Sequence, residues 1–116
     1  MLTELTPAEC REHLRAAELG RLAITYKALP VVIPVRIAAH DGVVGITSLY
    51  GDAVPLPDGS IVALEAGTLG EGRADEWSVE IRGFLTANTL ADSDRQRVNS
   101  SEFQLSTEVL AGWERR

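Results

Sequence analysis

At 116 residues the chain is long enough for one domain with a real core and too short for two ordinary ones. Its formal charge of −6, with a single lysine among eleven basic residues, excludes a nucleic-acid reader, whose affinity rests on neutralising phosphates. Hydrophobic residues make up 45% and charged residues 24%, the balance of a globular chain, and no apolar run approaches the length that crosses a bilayer. Cys10 is the only cysteine, so an internal disulfide and a CxxC metal or redox site are excluded. The N-terminus lacks the basic-then-apolar order of a signal peptide, and a cytoplasmic location is expected. A domain this small leaves much apolar surface, which favours pairing with a second copy.

In chain order, "LTPAECREHLRAAELG" opens with a helix signal. Thr6 caps, Pro7 suits the first helical position, and Glu9 completes a capping box with Thr6. Cys10, Leu14 and Ala17 share one face, and Gly20 supplies a left-handed stop, so a helix is expected from Pro7 to about Glu18. From Arg21 the period falls to two. Leu22, Ile24 and Tyr26 alternate with Arg21, Ala23 and Thr25. Val31, Ile33, Val35 and Ile37 then share a face opposite Val32, Pro34 and Arg36. Pro34 cannot donate a ladder hydrogen bond, which predicts an edge or bulge there. Asp41-Gly42 predicts a hairpin into "VVGITS". "YGDAVPLPDGS" reads as loop, "IVALEA" as a short strand and "GTLGEGRADE" as a connection. "WSVEIRGFLTAN" is the longest β pattern, with Trp77, Val79, Ile81, Gly83 and Leu85 on one face. "ADSDRQRV" reads as a short helix begun by Asp92 or Ser93, with Asp92 and Asp94 as helix-start acids. "EFQLS" is expected as a last strand and "TEVLAGW" as a turn. The sum is an all-β chain with minor α: a capped helix and five or six antiparallel strands, which a small closed or nearly closed barrel accommodates best.

Three stretches, in this order, resemble the pyridoxamine-5′-phosphate-oxidase-like FMN-binding split barrels. They are "ELGRLAITYKALPVVIPVRIAAHDG", "GITSLYGDAV" and "DEWSVEIRGFLT", and the ending "FQLSTEVLAGWERR" is similar to the family's terminal strand and tail. The resemblance covers nearly the whole chain as one domain, residues 1–116. It implies a homodimer with FMN in the groove between two chains and an FMN-dependent oxidoreductase acting on a small molecule. Matched residue by residue, the backbone around Pro34, Val35 and Arg36 borders the flavin ring. Thr47 and Ser48 approach the phosphate or ribityl chain, Ser78 matches a polar position near the flavin, and Trp77 sits close to the interface.

One departure stands out. Where the family carries lysine or arginine to grip the phosphate, this chain has Asp52 and Ala53. A unit charge about 4 Å from another is worth ~1 kcal/mol in water and ~4 at an effective dielectric near 20, so this exchange is expected to cost affinity for phosphate. Arg36 is the best-placed cation to compensate, its other role being an ion pair with Glu65 or Glu80. The alternative function is a relative that has lost the phosphate grip and serves as a non-catalytic dimeric ligand-binding or structural module. Other chemistry is thin. Ser78 has no paired His and Asp, as a nucleophile requires. His13 and His40 have no partner at metal spacing. Cys10 reads as a small buried hydrophobe.

Overall fold

The computed structural model describes residues 1–40, 42–88 and 101–115. Eight strands and one α-helix lie among them, in the order β1 (Leu2–Glu4), α1 (Pro7–Ala16), β2 (Leu19–Tyr26), β3 (Leu29–His40), β4 (Val43–Ser48), β5 (Ile61–Gly67), β6 (Glu76–Ala87), β7 (Phe103–Leu105) and β8 (Val109–Arg115). All pairings are antiparallel. Six strands close into a barrel in the order β6, β5, β2, β3, β4, β7 and back to β6, which leaves the ring no free edge. β8 and then β1 extend from β6 outside the ring. The barrel is split at β6, whose residues 76–82 pair with β8 and whose residues 85–87 pair with β7.

Period two decides what faces inward. Leu22, Ile33, Val35, Ile46, Leu64, Val79, Ile81 and Leu85 are all below 2% exposed and fill the barrel. Their neighbours at i±1 face outward. α1 closes the open mouth with Cys10 and Leu14, and its capping box forms as expected: Thr6 Oγ1 accepts from Glu9 N at 3.2 Å while Glu9 Oε1 accepts from Thr6 N at 2.9 Å. Such a cap is worth about 1 kcal/mol. Burial raises the pKa of the Cys10 thiol and Glu9 raises it further, so the sulfur is held as an inert thiol.

Several expectations need correction. α1 ends at Ala16, with Ala17 an extended C-cap, and Gly20 lies inside β2. Gly20 is there for space: a Cβ would sit 3.0 Å from the Glu65 carbonyl oxygen. "TEVLAGW" is not a turn, because Val109–Arg115 form β8 along β6. β1 was not anticipated and brings the strand total to eight rather than five or six. Pro34 behaves as its chemistry demands. Its carbonyl accepts from Leu49 N just past the end of β4, so its ring nitrogen faces the side where the partner strand has stopped. Gly42 has the positive φ of +78° that the β3–β4 hairpin needs. Its predicted turn partner Asp41, and the predicted helix at residues 91–98 with Asp92, Ser93 and Asp94, lie outside the described residues. No helix among the described residues is long and apolar enough to cross a membrane.

The β2–β3 hairpin turns through Lys27 (φ 51°) and Ala28 (φ 65°), both left-handed and neither glycine. A two-residue turn with both central φ positive prefers Asn-Gly, and an L-residue there costs roughly 1–2 kcal/mol. Ala28→Gly is therefore expected to raise stability by about 1 kcal/mol, a rise in Tm of roughly 4 °C in thermal unfolding. Lys27 is best left in place, since its Nζ lies 5.3 Å from the centre of the Tyr26 ring.

Candidate functional site

The outer face of the barrel is ordered in rows set by strand register. One row carries Pro34, Arg21, Glu65, Glu80 and Ala111 across β3, β2, β5, β6 and β8. The next carries Val32, Ala23, Ala63, Arg82 and Val109. Glu65 and Glu80 are directly opposite, a repulsive placement that their neighbours relieve. Ser78 Oγ donates to Glu65 Oε2 at 3.3 Å, and Arg82 Nε donates to Glu80 Oε1 at 2.9 Å.

Of the residues anticipated for a cofactor, Arg36 and Thr47 come together. They are cross-strand partners of β3 and β4 and both line an open depression of about 360 Å³ on the barrel's outer face. Arg15, from the last turn of α1, lines the same depression, as does Glu18. Neither Arg36 nor Arg15 forms an ion pair among the described residues, so the expected partnership of Arg36 with Glu65 or Glu80 is absent there. Two guanidinium groups without ion-pair partners among the described residues and two hydroxyl residues, Thr47 and Ser101, against one carboxylate, make a depression suited to an anion. Pro34, two residues from Arg36 on the same face, lines a neighbouring groove of about 320 Å³ with Leu19 and Leu49, both exposed.

The other anticipated residues fall elsewhere. Val35 is fully buried, so its side chain belongs to the core, and only its backbone, the part expected to border a ring, is left to meet a ligand. Ser48 pairs with Val35 on the inward face, and its Oγ accepts from Tyr50 N at 3.1 Å, which is turn chemistry. Thr47 and Ser48 thus point to opposite faces. Ser78 faces outward but lies four strands from Thr47, roughly 19 Å along the sheet at the usual strand spacing. Trp77 is 8% exposed and stacks on His13 of α1, ring centres 4.5 Å apart and planes 18° from parallel, so it packs the helix against the barrel. Asp52 is exposed in a single 3-10 turn, Gly51–Ala53, and borders neither the depression nor the groove. Among the described residues no group of three or more His, Cys, Asp or Glu is placed to hold a metal ion.

A family model described as pyridoxamine 5′-phosphate oxidase matches residues 6–106. No curated protein matches the sequence. Among solved structures, an FAD-binding protein from Mycobacterium smegmatis is similar over the whole of both chains, with a TM-score of 0.77 and 20% identity. An FAD-binding protein from Mesorhizobium loti covers 100% of this chain and 99% of its own, with a TM-score of 0.75 and 20% identity. A Corynebacterium glutamicum protein with a provisional pyridoxamine 5′-phosphate oxidase name covers 99% and 98%, with a TM-score of 0.78 and 17% identity. At these identities the likeness is one of fold.

Proposed function

The chain belongs to the pyridoxamine 5′-phosphate oxidase family, and from that premise we propose that it binds a flavin nucleotide on the outer face of its barrel. The observation behind this reading is the Arg36–Thr47 pair with Arg15 beside it: cations without ion-pair partners among the described residues, next to a groove where Leu19, Pro34 and Leu49 lie beside the charged Arg21, Glu65 and Glu71. Arg36, Arg15 and Thr47 would hold the phosphate. Leu19, Pro34 and Leu49 would bear on the flat ring. Asp52 lies outside both depressions, so the charge it adds acts on a phosphate only at a distance. A bound flavin supplies hydride and single-electron transfer to a small-molecule substrate, and the chain contributes orientation and exclusion of water. FMN is the nucleotide the family resemblance implies, and FAD is the one named for the solved relatives from M. smegmatis and M. loti.

The same proposal includes a homodimer. Leu19, Val32, Ile61, Phe84, Val109 and Trp113 lie on the outer face of β2, β3, β5, β6 and β8, each 40–71% exposed. A second copy laid on that face would cover them, and it is the source from which a Ser78 could approach a ligand held at Arg36 and Thr47. Sedimentation or light scattering of the purified chain reads this directly, and a monomer at micromolar concentration removes this part of the proposal.

Titration with FMN, FAD and riboflavin, followed by flavin fluorescence and thermal unfolding, tests the reading. Saturable binding of a phosphorylated flavin is expected, with a gain of about 2.7 kcal/mol at 100 times Kd. No binding of any flavin at saturating concentration would leave the non-catalytic module as the function.

A further inference from the structure

Where α1 crosses the far end of the β3–β4 hairpin it leaves a second, smaller cleft of about 80 Å³. Its floor is Leu14, Val44, Ile81 and Leu110, the first three of them buried core residues. Its rim is of a different kind. Arg11 and Arg15 stand one turn apart on α1, His40 ends β3, and Thr107 stands on the segment that leads into β8. Neither the Arg11 guanidinium nor the Thr107 hydroxyl has a hydrogen-bond or ion-pair partner among the described residues. An apolar floor ending in a cation and a hydroxyl matches a hydrocarbon tail that ends in a carboxylate. Size narrows the tail. A cavity of about 150 Å³ takes a benzene ring, so roughly half that volume suits a short branched chain better than a ring.

We propose that this cleft binds a short aliphatic monocarboxylate, with its tail on Leu14, Val44, Ile81 and Leu110 and its carboxylate at Arg11 and Thr107. The site is distinct from the flavin depression. Arg15 borders both, whereas Arg11 borders only this one. A primary amine of the same shape is repelled by Arg11 and Arg15, and the matching alcohol keeps the tail contacts but forfeits the charge-assisted hydrogen bonds.

The test is an amide-resolved NMR titration of the full chain, with no flavin added, using isovalerate, isoamyl alcohol and benzoate. Isovalerate is expected to shift the Leu14, Val44 and Leu110 amides saturably, the alcohol to bind at least about tenfold more weakly for want of the charge-assisted hydrogen bonds, and benzoate, which keeps the carboxylate, to bind more weakly for want of room. Arg11→Gln exchanges one good helix former for another at an exposed position, so the fold is retained. It is expected to bring isovalerate down to the affinity of the alcohol. The proposal is overturned if isovalerate gives no saturable shift, if the alcohol or benzoate binds as well, if Arg11→Gln leaves isovalerate unchanged, or if the shifts centre on Arg36 and Thr47.

Discussion

Gly83→Ala is expected to unfold the protein or leave it barely folded. Gly83 lies in the inward-facing set of β6, at the point where the neighbouring strand changes from β8 to β7. There the chain between β7 and β8 crosses β6: Phe84 N donates to Ser106 Oγ at 2.8 Å, Ser106 N donates to the Phe84 carbonyl at 3.0 Å, and Glu108 N donates to the Arg82 carbonyl at 3.0 Å. The Ser106 carbonyl enters the space that a side chain at position 83 would fill, and a Cβ would overlap its oxygen. This neighbour is backbone, pinned on both sides by those hydrogen bonds, and cannot rotate away as a side chain would. Relief requires breaking at least two of the crossing hydrogen bonds and moving β7, which closes the barrel. Overpacking alone costs roughly 1–3 kcal/mol, and each buried backbone group left unpaired adds about 1–3 more. Against a total stability of about 5–15 kcal/mol, a loss of about 4 lowers Tm by roughly 15 °C or abolishes soluble expression. Thermal unfolding checks this, and a Tm within a few degrees of the parent would show that the crossing segment yields easily.

The same crossing shows which parts of this fold the sequence makes legible. β2, β3 and β6 could be read because each has one core face and one wet face, so hydropathy alternates with period two. β8 could not. Its one fully buried position is Gly112, while Val109 and Trp113 are exposed, so its hydropathy runs opposite to its burial. Glycine is needed at 112 because the Cys10 sulfur would lie 2.8 Å from a Cβ there, a constraint imposed by helix docking and invisible in local pattern. β1 is three exposed residues and has no burial pattern to read. Gly20 offered a helix stop by local chemistry, and the approach of the Glu65 carbonyl, 45 residues away, is what requires it. At the site, Arg36 and Thr47 were legible because a hairpin turning at Gly42 sets their register, and the same period of two separates Thr47 from Ser48. Arg15 was not legible. It joins them only because α1 packs over the barrel mouth.

Arg36→Gln is expected to weaken FMN binding by about 10- to 100-fold, while Asp52→Lys with Ala53→Lys changes it by less than about threefold. The first figure is the worth of charge-assisted hydrogen bonds to a phosphate, about 1.5–3 kcal/mol, taken from the β3 cation that lines the depression. The second follows from position. Asp52 is exposed on the 3-10 turn and borders neither the depression nor the groove, so its charge acts on a phosphate there through solvent and is weakened by salt. Riboflavin separates the phosphate from the ring. Lacking the anion, it should bind the parent and Arg36→Gln alike, so the loss seen with FMN is the coupling between one guanidinium and one phosphate. Raising salt should weaken FMN in the parent more than in Arg36→Gln, because only the parent has that ion pair to screen. Fluorescence titrations of the three flavins against the parent and both variants give the whole set. If the paired lysines raise FMN affinity tenfold while Arg36→Gln does nothing, the phosphate lies at the 3-10 turn and the Arg36–Thr47 depression is not its site. If Arg36→Gln weakens riboflavin as much as FMN, Arg36 supports the ring, and the anion is held by other residues.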